Sequence, residues 1–281
     1  MADLGLTTQQ DMVTNATMIA SLSPTTPVIA DADTGYGGPV MVARTVREYA
    51  RAGMRRSHSF DRGAYMLMAL LGIAAFHLED QVQSKRCGHL MGKQIVSRED
   101  FYARIRSARA ARDACGSEML IIARTDARAG ELADASGTTS NGDILANTPE
   151  SKYNEAIARL KGAREAGADI LFFEAPTSKE EAGRACAELA PTPVLLNMVP
   201  EGVTPNMSVD EAKQCGFRIV IFPTVCIEGV LRGCREELGR LKEKGAMDGD
   251  NKGIRAAFEL CGLDEAVEID KAAGGKAYGQ I

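Results

Sequence analysis

The sequence predicts an α/β fold built on a parallel sheet of the kind that curls into a barrel. Three observations carry this. Six short apolar runs recur along the chain: Val28–Ala32, Ile73–Leu78, Met119–Ala123, Ile170–Phe173, Val194–Met198 and Phe217–Phe222. Each is followed by a helix-length segment, and strands buried on both faces read as such uninterrupted runs. Polar residues gather where the runs end, as at the mouth of a barrel of parallel strands. Eight strands close such a barrel, so six leave the domain expected over residues 1–244 incomplete.

The elements follow in order. Gln9–Ser21 reads as a helix with Met12, Ala16, Ile19 and Ala20 on one apolar face, ended by Pro24 and Pro27. The first strand closes on the glycines of Asp33–Gly38. Helix Pro39–Ala52 follows, with Pro in its first turn, Gly53 at its end, and Val42, Val46 and Tyr49 inward. Gly53–Gly72 joins a basic polar run to a short apolar helical one; connections in such arrays are usually shorter, so it looks inserted. Ser97 caps the next helix, with Asp100 as a capping-box partner, and Gly116 stops it after Cys115. Arg128–Pro149 is rich in Gly, Ser, Thr and Asn and reads as a long loop. Helices Pro149–Ala166, Ser178–Leu189, Ser208–Cys215 and Ile227–Lys244 complete the alternation. Residues 245–281 read as a polar linker and a C-terminal helical segment, Ile254–Ala266.

Composition narrows the function. A chain of 281 residues with 45% hydrophobic and 25% charged residues is ordinary for a globular protein. A formal charge of −5 gives no reason to expect nucleic acid as a partner. No apolar run approaches a membrane span, and the start shows neither a signal peptide nor an Arg-rich presequence. Seven scattered cysteines without CxxC favour a reducing, cytoplasmic setting over a disulfide framework or zinc site. Six of them, Cys115, Cys186, Cys215, Cys226, Cys234 and Cys261, read as helix or core packing.

Chemistry concentrates in His77–Lys93, HLEDQVQSKRCGHLMGK. Upstream, Asp31 and Asp33 lie two residues apart and point the same way on an extended segment. With Glu79 they form an oxygen set suited to Mg2+ or Mn2+, unless they cap helices or pair with Arg and Lys. Cys87 sits between Lys85–Arg86 and His89, with Gly88 and Gly92 giving the segment freedom to move. A thiol among bases and glycines is not a core pattern. Arg124 ends an apolar strand, where it either holds a substrate carboxylate bidentately or pairs with Asp126 or Glu174. His77 reads as a satisfied core histidine.

Taken together, IADADTGYGGP, the KRCGH run, IARTDA and LLNMV resemble the isocitrate lyase and phosphoenolpyruvate mutase superfamily, from Asp3 to about Asp270. The resemblance is to its short lyases: methylisocitrate lyases, dimethylmalate lyases and oxaloacetate hydrolases. It implies a (β/α)8 barrel whose last helix is exchanged between subunits of a homo-oligomer, a dimer of dimers. It further implies Mg2+ bound directly by Asp31 and contacted, largely through water, by Asp3, Asp33 and Glu79. Arg124, Glu174 and Asn197, with Gly88 and His89, would hold the small carboxylate substrate. Lys85–Gly92 would be a mobile gate, with Lys85, His89, Cys87 and, from its strand end, Arg124 catalytic, and Cys87 the acid that protonates the departing carbanion. The implied reaction is retro-aldol cleavage of a 2-hydroxy di- or tricarboxylate (2-methylisocitrate, isocitrate or a 2,3-dimethylmalate) to a 2-oxo acid and a carboxylic acid. Oxaloacetate hydrolysis to oxalate and acetate is the near alternative. Mutases lack the cysteine.

Three departures from the family pattern stand out. The chain starts after two N-terminal strands, and Met54–Leu71 and Arg128–Lys152 intervene where relatives connect directly. An imperfect gene model would explain them, with retained intron sequence supplying one or both insertions and a missed upstream exon the start; genuine family variation in surface-loop length is the other reading. An inactive truncated paralogue or mis-spliced product is then the alternative to an enzyme, and a mitochondrial location stays open.

Overall fold

The computed structural model describes residues 3–23, 25–53, 73–88, 90–133, 148–246 and 253–278. The chain divides into one unit spanning Met1–Pro223 and a second spanning Thr224–Ile281. In the first, six strands form one parallel sheet: β1 (Val28–Asp31), β2 (Ile73–Glu79), β4 (Leu120–Thr125), β6 (Ile170–Phe173), β7 (Val194–Asn197) and β8 (Ile219–Ile221). They lie in that order, each parallel to its neighbour. The result is an open half-barrel. Among the described residues β1 and β8 are the sheet's two edges.

Alternate residues of each strand serve two cores, as the two-residue side-chain period requires. Phe76, Leu78, Ile121, Ala123, Leu171, Phe173 and Leu196 point to the helical layer. Ala75, Ile122, Ile170, Phe172 and Leu195 form the smaller cluster on the other face. The helical layer comprises α1 (Gln9–Leu22), α2 (Pro39–Gly53), α3 (Arg98–Ala114), α4 (Pro149–Ala166), α5 (Lys179–Leu189) and α6 (Val209–Cys215). Their starts are set by side-chain caps: Thr8, Ser97, Thr148, Ser178 and Ser208 each accept from a backbone N–H of the first turn. Val42, Val46 and Tyr49 of α2 are fully buried, as its pattern predicts. In α1 only Ala16 is buried and Ile19 is 49% exposed, because the helix packs at the sheet's end, on α2 and β1.

The structure adds a two-stranded parallel ribbon, β3 (Gln94–Ile95) with β5 (Glu131–Leu132). Strands of two residues carry no periodicity to read. In the second unit, α7 (Ile227–Lys244) is as expected, but the single helix expected at Ile254–Ala266 is two: α8 (Gly253–Leu260) and α9 (Leu263–Ala272). Gly262 breaks it with a left-handed φ of 91°. The cysteines differ in burial. Cys186 is buried, and burial pushes its thiol up to about 12, but Cys226, Cys234 and Cys261 are exposed rather than packed. A small apolar residue on a helix looks the same in sequence on either face. The expected apolar helical run at Ala64–Leu71 and most of the loop after Ala133 lie outside the described residues. No described helix is long and apolar enough to cross a membrane.

Candidate active site

Parallel strands deliver their last residues to one end of the sheet. Asp31 ends β1 and Asp33 follows it, Glu79 ends β2 and Asp80 follows it, Arg124 lies next to the end of β4 and Asp126 just beyond it, Glu174 follows β6, and Asn197 ends β7. Register sets Asp31 beside His77 and Glu79 beside Arg124. Asp31 Oδ1 accepts from the Asp33 N–H at 2.8 Å. This turn places Asp33 in the left-handed region, φ 53°, which aspartate tolerates better than most residues.

Lys85 lies among the acids. It is buried, with Nζ 2.9 Å from Asp3 Oδ1 and in contact with Asp33 Oδ1. Burial and the nearby Asp31 push the Asp33 carboxyl up, against the pull of Lys85. Burial also opposes ionisation of Asp31, but His77, Lys85 and the Asp33 N–H outweigh it and hold that carboxyl down. Burial drives Glu79 well above the usual carboxylate range, against the opposing charge of Arg124. Its Oε1 is buried without a hydrogen bond. Burial, partly offset by Asp31, lowers His77 to about 4. It packs edge-on to Phe172, centroids 5.4 Å apart.

Arg124 takes the pairing alternative. Nε and Nη2 donate to Asp126 at 2.8 and 3.2 Å. Nε also lies 3.4 Å from Glu79 Oε2, and Nη2 4.0 Å from Glu174 Oε2. The guanidinium sits 5.0 Å from the centre of the Phe172 ring, and burial costs it less than these carboxylates return, so its charge is held firmly. Asn197 Nδ2 reaches Glu174 Oε2 at 3.4 Å.

The loop after β2 comes down on this pair. A Cβ built on Gly88 would lie 2.5 Å from Glu174 Oε1 and 3.0 Å from Arg124 Nη2. Only a glycine lets the backbone so close. Gly88→Ala is therefore expected to lift the loop or turn Glu174 off Asn197, costing about 1–3 kcal/mol. Urea unfolding of the variant measures this, and an unchanged midpoint would refute it. Gln81, fully buried, clamps the loop by accepting from the Arg86 N–H and donating to its carbonyl, both at 3.0 Å. Cys87 is half-buried, and its N–H donates to the Asp3 carbonyl at 3.1 Å.

The structure thus gathers Asp3, Asp33 and Lys85 in one group, and Glu79, Arg124, Glu174, Asn197 and Gly88 in another. His89 lies outside the described residues. Among those described, no three His, Cys, Asp or Glu side chains converge to hold a metal ion; Lys85 supplies the countercharge instead. The donor set still suits a hard divalent cation. It is all oxygen, two of its carboxyls are pushed up, and Glu79 Oε1 lacks a partner. Sequence reasoning missed Lys93 and Arg159, weighed Asp126 only as a salt-bridge partner, and counted Asp80 with Glu79 toward a metal site, whereas Asp80 is bonded to Thr125, the Asp126 N–H and Arg159. Lys93 and Arg159 carry no local signal.

A family model for phosphoenolpyruvate phosphomutase matches residues 65–241, more than half of the chain. The chain belongs to that family. It is 37% identical over 245 residues to a 2-methylisocitrate lyase of Aeropyrum pernix, covering 87% of this chain and 65% of that enzyme. A crystal structure of 2,3-dimethylmalate lyase, a member of the PEP mutase/isocitrate lyase superfamily, superposes with a TM-score of 0.80 at 43% identity, over 99% of this chain and 80% of that one. An oxaloacetate acetylhydrolase bound to 3,3-difluorooxalacetate does so with a TM-score of 0.80 at 42% identity, over 99% and 81%. The family resemblance read from KRCGH and its companion runs is therefore sound, and it is to the short-lyase branch.

Proposed function

We propose that the protein cleaves a carbon–carbon bond in a 2-hydroxy di- or tricarboxylate of the 2,3-dimethylmalate or 2-methylisocitrate kind, giving a 2-oxo acid and a carboxylic acid. The observation that carries this reading is the approach of Gly88 to Arg124 and Glu174. It brings the segment that carries Cys87 over the Arg124 guanidinium and its carboxylate partners.

The chain's own groups divide the work. Arg124, kept charged and fixed in the plane of Asp126, stabilises negative charge as it develops on the substrate. Glu174 and Asn197 orient the carboxylate end. Glu79 Oε1, unpartnered and with its proton affinity raised by burial, accepts the hydroxyl proton. The C2–C3 bond then breaks: its electron pair passes to C3, and the C2–O bond becomes a carbonyl. Cys87 Sγ delivers a proton to C3 from a loop that excludes water. Asp31, with Asp33, Glu79 and Asp3, would hold Mg2+ or Mn2+, and Lys85 would yield its place among them. Bound there, the cation supplies Lewis-acid polarisation of the substrate hydroxyl.

The equal likeness to an oxaloacetate acetylhydrolase supports a second reading, hydrolysis of oxaloacetate to oxalate and acetate. Purified protein incubated with Mg2+ and each of 2,3-dimethylmalate, 2-methylisocitrate and oxaloacetate separates the two by product. Release of a 2-oxo acid from a hydroxy acid, lost in EDTA and restored by Mg2+ or Mn2+, is the expected result. Oxalate formation alone would overturn the lyase reading, and a folded protein inert toward all three would overturn both.

A further inference from the structure

Lys93 ends the stretch richest in chemical side chains yet has no part in the reaction above. Only 2% of it is exposed. Its Nζ donates to the Gly88 carbonyl and lies 3.3 Å from Asp126 Oδ1. Asp126 in turn grips Arg124 through two hydrogen bonds. One ammonium therefore ties the backbone beside Cys87 to the carboxylate that fixes Arg124.

The other bonds of this loop do something different. Gln81 clamps Arg86 N–H and carbonyl, and Arg86 Nη1 donates to the Met91 carbonyl at 2.8 Å. These fix the loop's own shape. Lys85 and the Cys87 N–H tie it to Asp3, which lies on the acidic side of the mouth. Only the Lys93 ammonium, among these bonds, joins it to the end of β4. Lysine suits this position because its long stem reaches between two elements, and its compact ammonium serves a carbonyl and a carboxylate at once.

We infer that Lys93 is a positioning residue, a latch that holds the Cys87 segment down on Arg124 and Glu174 in the reacting arrangement. The inference rests on the reading that Cys87 delivers the proton, and extends it to what keeps the thiol in place. Lys93 itself touches no substrate. Its removal frees the loop, while Asp126 keeps Arg124.

The test compares the full chain with Lys93→Met, which keeps the stem and loses the donors. Iodoacetamide labelling of each cysteine is followed by peptide mass spectrometry. Loss of a charged hydrogen bond in a dry setting predicts Cys87 labelling about tenfold faster or more. Buried Cys186 stays protected and reports that the fold is intact. Lys93→Arg, which keeps cation and donors, is expected to restore part of the protection. Turnover of the hydroxy acid is expected to fall about tenfold in kcat with KM little changed. Wild-type labelling of Cys87 in folded Lys93→Met would overturn the latch. Should that variant expose Cys186, Lys93→Gln decides by the same measure: faster Cys87 labelling supports the latch, and an unchanged rate overturns it. If Cys87 protection depends on Lys93 but no substrate is cleaved, the latch stands and the lyase reading falls.

Discussion

Cys87→Ser is expected to lower kcat for carbon–carbon cleavage by about 10²–10⁴-fold, the usual contribution of a placed general acid. KM should change little, since the bonds that place the loop are made by its backbone and by other side chains. The Cys87 N–H still donates to Asp3 and its carbonyl still accepts from the Leu90 N–H. Lys93 still holds Gly88, and a serine is slightly smaller than the half-buried cysteine it replaces. What changes is acidity: a hydroxyl gives up its proton far less readily than a thiol, so protonation of C3 becomes the slow step. Steady-state kinetics on the variant check the magnitude, with its unfolding midpoint as a control. Wild-type turnover in a folded Cys87→Ser protein would show that the proton comes from elsewhere and would remove the role assigned to this loop.

The parts of this site that sequence made legible are those where one strand carries its own signal. An apolar run that stops at a charge, as Ile121–Arg124 does, marks both a buried strand and its end. The positions of Asp31, Glu79, Arg124, Glu174 and Asn197 follow from that alone. Which charges meet is another matter, because partners arrive on different strand ends. Arg124 was open to a substrate or to two acids. The strand decides it, since Asp126 is two residues on and extends the same way. Lys85 stands two residues before Cys87 in sequence, yet its ammonium reaches away to Asp3 and Asp33. Arg159 and Glu155 form an i,i+4 pair that reads like any exposed helical ion pair. Both are buried against the back of the site.

That buried group carries the largest expected effect on stability. Asp80, fully buried, accepts from Thr125 Oγ1 at 2.6 Å, from the Asp126 N–H at 2.9 Å and from Arg159 Nη1 at 3.1 Å. Arg159, fully buried, donates through Nε to Glu155 at 2.7 Å, and Arg98 Nε holds the same carboxylate at 3.0 Å. Burial pushes the Asp80 carboxyl above its ordinary range despite Arg159, so the ionised pair is not by itself a large source of net stability. The cost lies in breaking one side. Asp80→Ala strips Arg159 of one of its two carboxylates and orphans the Thr125 hydroxyl and Asp126 N–H, at about 3–5 kcal/mol. Asp80→Ala with Arg159→Met removes both charges and should cost less than the two single changes added. Urea unfolding of the three variants measures the coupling. Additive losses, or a single-variant loss below about 1 kcal/mol, would mean the pair behaves as a surface salt bridge. The same variants bear on the chemistry, since Asp80 sets the backbone of Asp126 and Asp126 sets Arg124. A folded Asp80→Ala protein is therefore expected to lose kcat as well as stability, through a guanidinium no longer held in one plane.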